Sequence, residues 1–106
     1  MKFLVICKPT TRSLQFTMKQ RLAIIQASKE WTEKSLKNGL IDCAYTFIEG
    51  GAISISNYES AEAGFKELSN FPARALFDWE IKPLADVMKT YDELISLLKK
   101  FADLET

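Results

Sequence analysis

The stretch "IEGGAISISNYES", residues 48–60, decides how this chain folds: two adjacent glycines, an isoleucine–serine alternation, then a helix start. Alternation with a period of two marks a strand whose two faces meet different surroundings. Glycine pairs tolerate positive φ and are common in two-residue hairpin turns. A turn at Gly50-Gly51 joins one strand over 40–50 ("LIDCAYTFIEG") to another over 51–57 ("GAISISN"). That register sets Phe47 opposite Ser54 and Tyr45 opposite Ser56. Ala44, Thr46, Ile48, Ile53 and Ile55 then form a small, aliphatic bed for helices. The other face carries aromatics beside serines, the lining expected of a pocket or an interface.

Outward from the hairpin the remaining elements follow. "KFLVICK" (2–8) is a β-rich run closed by Pro9. Thr17 and Gln20 have capping-box spacing, so a long helix starts there, or a turn earlier at Ser13, and Asn38-Gly39 ends it. Its apolar rows are Met18, Leu22 and Ile25, with Ile24, Ala27 and Trp31 beside them. Ser60 caps a second helix with Ala61, Phe65 and Leu68 as its stripe, and "NFP" (70–72) stops it. "ALFDWEIKPL" (75–84) alternates Phe77, Trp79 and Ile81 against Asp78, Glu80 and Lys82, and Pro83 ends that strand. Asp86 caps a last helix striped by Val87, Tyr91, Leu94, Ile95, Leu98 and Phe101.

The order β-α-β-β-α-β with an added C-terminal helix predicts an α+β, ferredoxin-like domain over residues 1–106, with 84–106 as a helical extension. Its four-stranded antiparallel sheet has helices on one face only. A small domain does not leave an aromatic sheet face bare, so a second copy stacking sheet to sheet, as a dimer or higher homo-oligomer, is the expected cover.

Composition narrows the chemistry. With 14 Lys+Arg against 14 Asp+Glu the formal net charge is zero, so there is no basic field for nucleic acid. The run at the N-terminus is too short for a signal peptide, and no segment reaches the ~18 apolar residues of a membrane span. A cytoplasmic protein is expected, with Cys7 and Cys43 as reduced, buried thiols rather than a disulfide or redox pair. The chain has no histidine. Imidazole acid–base catalysis, His-activated nucleophiles and histidine metal sites are therefore excluded. Gly50-Gly51 is a turn and not a phosphate loop, because no helix with Lys-Ser/Thr follows it. The last helix mixes both charge signs on its polar side, which fits packing on its own sheet edge or a partner subunit better than a membrane surface.

The stretch "ISISNYESAEAGFKELSNFPARALFDWEIKPL" resembles the second half of muconolactone isomerase-type proteins of the dimeric α/β-barrel superfamily. The matching features are the strand entering Asn57, Ser60 with Glu62 opening a helix, Leu68 and Phe71-Pro72 closing it, and Asp78-x-Glu80-Ile81-x-Pro83-Leu84. "MKFLV" and Gly39 also fit, so the resemblance spans roughly residues 1 to 84. It implies two ferredoxin-like sheets stacked into a barrel, no cofactor and no metal. The implied activity is a proton shift in a small unsaturated lactone, which needs a general base and an enolate stabiliser. The family pattern puts acids late in helix 1, here Glu30 and Glu33, whereas strand 2 carries neither arginine nor histidine.

The base candidates under this resemblance are Glu30 and Glu80. Tyr45, Ser54 and Ser56 are the ligand-orienting candidates, and the alternative for them is an interface lining. Asp78 lies two residues from Glu80, on the same strand face, as a paired carboxylate in a cleft or as part of a solvated face. Arg74 and Lys8 are candidates for an anionic group, and Trp31 and Trp79 for stacking on a ring. Two further readings remain: a non-catalytic ligand-binding or oligomerisation module, and a cofactor-free monooxygenase of the same superfold.

Overall fold

The computed structural model describes residues 1–105. Four strands, β1 (Lys2–Pro9), β2 (Ile41–Thr46), β3 (Ala52–Asn57) and β4 (Phe77–Leu84), alternate with helices α1 (Met18–Lys37), α2 (Ala61–Ser69) and α3 (Val87–Ala102). The sheet order is β2-β3-β1-β4, all antiparallel, which is the ferredoxin-like arrangement. The caps fall where side chains can satisfy free helix N–H groups. Thr17 and Gln20 form a reciprocal capping box, Ser60 accepts from the Ala63 amide, and Asp86 accepts from the Lys89 amide.

The hairpin differs from its expected register. β2 ends at Thr46, which pairs with Ala52, and residues 47–51 form a wider loop closed by Phe47 N–H donating to the Gly51 carbonyl at 2.9 Å. Gly50 and Gly51 both have positive φ, +108° and +88°. A Cβ on Gly51 would also sit 2.4 Å from the Cys7 carbonyl oxygen. The glycines thus let the loop press on β1 rather than make the turn alone. Moving the last pair from Glu49–Ala52 to Thr46–Ala52 is an odd shift, so it reverses the face of Cys43–Thr46 relative to β3, while a second slip of register between Ile41 and Cys43 returns Ile41 to its expected face. Tyr45 lies opposite Ile53, Ala44 opposite Ser54, and Ile41 opposite Ser56.

The core lies between the sheet and α2. Phe3, Val5, Tyr58 and Leu68 are buried together, with Trp79 and Ile81 of β4 packed against them. Ser56 faces this side, 1% exposed, and Ser54 shares its face. The helix bed is therefore serine and alanine at β2–β3, while Ile53 and Ile55 point to the open face, opposite to the expectation. The strand 4 alternation is as expected, with Phe77, Trp79 and Ile81 on the covered side.

The covering helices turn inward only part of the rows the apolar pattern suggested: Ile24 and Trp31 of α1 are half-buried and Leu68 of α2 is buried. In α1 the buried residues are Ser28 and Ser35, while Met18, Leu22 and Ile25 are exposed. Small residues on that line let the helix approach the sheet closely, and Ser28 returns its hydroxyl to the Ile24 carbonyl at 2.8 Å. In α2 the buried residues are Gly64 and Leu68. Phe65 is exposed and lies under the Arg74 guanidinium, 5.0 Å from the ring centre. A Cβ on Gly64 would meet the Tyr58 ring at 2.6 Å, so only glycine fits there without displacing the ring.

Candidate functional site

The covered side of the sheet is incompletely filled. Where β2 and β3 offer Ala44, Thr46, Ala52 and Ser54, the small side chains leave a cavity of about 560 Å³ beneath the second half of α1. This is within the usual range for small-molecule sites. Trp31, Thr32 and Leu36 of α1 form its roof, and Phe71 and Trp79 its wall. The three rings meet edge to face: Trp31–Phe71 at 5.1 Å and 70°, Phe71–Trp79 at 5.5 Å and 84°. The Trp79 indole N–H is held by the Arg74 carbonyl at 2.8 Å, which fixes the ring plane.

The floor carries the polar groups. Ser54 and Ser56 hydroxyls lie 3.2 Å apart, and Tyr58 follows at the end of the strand. Burial pushes the Tyr58 phenol above its ordinary value, hydrogen bonding from Ser56 draws it partway back, and nearby Glu67 adds to the rise. At neutral pH the phenol is therefore protonated. Cys7 also lines the cavity, and burial raises its thiol in the same way, which leaves it a poor nucleophile. Cys43 is free as well and belongs to the opposite face of the sheet, paired with Ile55.

The sequence candidates divide between three places. Ser54 and Ser56 line the cavity, and Tyr45 stands at its rim, 69% exposed. Glu30 is on the outer side of α1, beside Glu33, Lys34, Lys37 and Asn38 in a separate shallow groove. Asp78 and Glu80 are on the open face of β4, opposite Lys8 and Ile6. There Asp78 pairs with Arg12 at 2.7 Å and Glu80 with Lys82 at 3.1 Å. Each acid has its own cation, so the two do not act as a coupled carboxylate pair. Tyr58, Phe71 and Thr32 are lining residues the sequence reading missed. The Gly64 spacing in α2 was the one available signal for Tyr58, since a helical glycine marks a close neighbour.

Among the described residues no cluster of three or more His, Cys, Asp or Glu side chains is disposed to hold a metal ion. No described helix is long and apolar enough to cross a membrane.

Solved structures share this architecture. The chain has the muconolactone isomerase fold. It superimposes on muconolactone isomerase with a TM-score of 0.69 over 81% of this chain and 90% of that one, at 18% identity. It also matches 5-chloro-2-hydroxyhydroquinone dehydrochlorinase from Burkholderia phenoliruptrix AC1100, in complex with 2,5-dihydroxybenzoquinone. There the TM-score is 0.63, over 80% of this chain and 94% of that one, at 21% identity. No protein-family model matches the sequence, and no curated protein does.

Proposed function

We propose that this is a muconolactone isomerase-like protein whose cavity takes a small, planar ring compound bearing a hydroxyl or carbonyl oxygen, such as a lactone, phenol or quinone. The observation that carries the reading is the pairing of an aromatic wall (Trp31, Phe71, Trp79) with a floor of hydroxyls (Ser54, Ser56, Tyr58) in one cavity of ring-compound size. The rings supply a flat apolar surface, and the hydroxyls both donate and accept toward an oxygen on the ligand. The fold is shared with two proteins whose names refer to small ring compounds, a lactone and a hydroquinone.

Binding without turnover is the form of this reading favoured by one further observation. The cavity lining contains no carboxylate, lysine or arginine. A proton shift between carbons requires a base within reach of the substrate, and Glu30, Asp78 and Glu80 all lie on other surfaces. Tyr58, held protonated, is a hydrogen-bond donor to an oxygen and the candidate stabiliser of an enolate if a base comes from elsewhere.

The test is a titration of the chain with a lactone, a hydroquinone, a quinone and a benzoate, followed by quenching of tryptophan fluorescence. Saturable quenching by the uncharged rings is expected. Ser54→Ala with Ser56→Ala should weaken it roughly tenfold, as two hydrogen bonds of about 0.5–1.5 kcal/mol each require. Binding that survives both these changes and Trp31→Ala would place the ligand elsewhere. Lactone turnover abolished by Glu30→Gln or Glu80→Gln would restore the catalytic form of the reading.

A further inference from the structure

Two arginines stand on short turns at the β4 edge of the sheet, outside the cavity. Arg12 lies in the 3₁₀ turn Thr11–Gln15 that follows β1, and Arg74 opens the 3₁₀ turn Arg74–Leu76 that leads into β4. Thr10 ties the two turns together: its hydroxyl donates to the Leu76 carbonyl at 2.9 Å and accepts from Arg12 Nε at 3.1 Å. Both arginines line a groove of about 540 Å³, room enough for a ring compound. Phe71 and Trp79 line the groove and the cavity alike, so the aromatic wall of the cavity is also the inner wall of the groove.

The two guanidinium groups are held in place without being used up. Arg12 Nη2 donates to the Phe77 carbonyl at 2.8 Å and to Asp78 Oδ1 at 2.7 Å. With the Thr10 bond this fixes the plane of the group, and Nη1 keeps both its N–H donors without an acceptor among the described residues. Arg74 is stacked on the Phe65 ring and makes no ion pair among the described residues. Asp78 is the one acid in the lining, against two arginines, so the groove carries an excess positive charge. Planar, anchored forks of this kind match a carboxylate, and the cost of ordering them is already met in the fold.

The rest of the lining is flat and apolar. Phe71, Phe77 and Trp79 are each half-buried, and Phe77 meets Trp79 edge to face at 6.0 Å and 76°. The Trp79 indole N–H is held by the carbonyl of Arg74 itself, which couples the ring surface to the cation beside it. We infer that this groove is a second ligand site, taking a planar ring carboxylate with its ring against Phe77 and Trp79 and its carboxylate on the guanidinium groups of Arg74 and Arg12.

This site is independent of the cavity reading. The cavity lining has no charged side chain and suits an uncharged ring, whereas the groove suits an anion. Asp78 sets the selectivity. It shares Arg12 with the ligand, so a second negative charge on the ligand meets a like charge, and a singly charged carboxylate is favoured over a phosphate dianion.

The test is a calorimetric titration of the full chain with benzoate at low ionic strength, where exposed charges are least screened. Saturable binding is expected. Arg74→Gln should weaken it about tenfold and Arg12→Gln several-fold, as the loss of hydrogen bonds to a charged group requires. Asp78→Asn should instead tighten it, because Arg12 keeps its bonds to Thr10 and Phe77 while the competing charge is gone. A purely structural role for the Arg12–Asp78 pair predicts no such gain. Lys100→Gln removes the same charge from α3 and should leave the affinity unchanged. Circular dichroism of each variant should match the parent. Failure of benzoate to bind, an equal loss from Lys100→Gln and Arg74→Gln, or no gain from Asp78→Asn would overturn the site. Displacement of benzoate by uncharged hydroquinone would put the carboxylate in the cavity and overturn it as well. Inorganic phosphate binding as tightly as benzoate would overturn the assignment of a ring carboxylate.

Discussion

The two faces of the sheet are built on opposite plans. The covered face is anchored by Phe3 and Val5 and thins to serine and alanine at the β2–β3 edge, so its helices enclose a cavity rather than a solid core. The open face is the reverse. Leu4, Ile6, Ile53 and Ile55 lie half-buried along its middle, bordered by exposed ion pairs: Lys2 with Asp42, Arg12 with Asp78, and Glu80 with Lys82. Apolar content therefore does not decide which face the helices cover. Space decides it: small residues on the sheet and Ser28, Ser35 and Gly64 on the helices allow a close approach, and the vacancy they leave is the candidate site.

The largest effect that separates the faces is expected from truncating matched neighbours on β1. Phe3→Ala should lose about 3–5 kcal/mol in urea unfolding, as a fully buried aromatic does. Leu4→Ala should lose less than half of that. Equal losses would mean that the open face is as well covered in solution as the helix face. Gly64→Ala comes next, at about 1–3 kcal/mol, because its Cβ drives into the Tyr58 ring. A near-neutral result would show that Tyr58 can leave the cavity floor without cost.

Ser56→Ala should cost about 1 kcal/mol through the hydroxyl row. It should also raise the Tyr58 phenol further, since Ser56 is the group that draws it down. A spectrophotometric titration of tyrosine checks this. Because the folded-state phenol of Tyr58 is raised, its contribution to stability is complete below pH ~10 and is lost as pH rises through the folded value.

On the open face, the smallest expected effect belongs to Asp42. The Lys2 ammonium, with the Asn57 amide at 2.7 Å, holds its carboxyl below the usual value. Its contribution is present above pH ~3.9 and is lost as pH falls through the folded value, so Asp42→Asn should lower stability slightly at neutral pH, make no difference below the folded value, and so flatten the acid limb. A large loss from this substitution near neutrality would indicate that Asp42 is covered by something other than solvent.

Local elements were legible because their signals are local. The strand 4 alternation, the caps at Thr17, Ser60 and Asp86, and the element order each rest on a few neighbouring residues and on backbone groups that must be satisfied in place. The hairpin register was not legible. "GG" serves a two-residue turn and a wider loop equally well, and the Cys7 carbonyl that selects between them comes from a strand more than forty residues away in sequence. The same holds for the site. Ser54 and Ser56 were recognisable as a polar face, but the side of the sheet they occupy followed from a register fixed elsewhere. Glu30 and Glu80 had suitable chemistry, yet an acid on a helix or strand reaches a cavity only if its row faces inward.

By itself the sequence determined the ferredoxin-like order of elements, the absence of imidazole chemistry and the apolar stripe of α3, since each is a property of composition or of residues close together in the chain. The tertiary structure alone decided which face is covered, which residues of α1 and α2 turn inward, and that Trp31, Phe71 and Trp79 converge over Ser54, Ser56 and Tyr58. Those outcomes depend on contacts between distant segments, where steric fit at Gly51, Gly64, Ser28 and Ser35 outweighs the hydrophobic pattern.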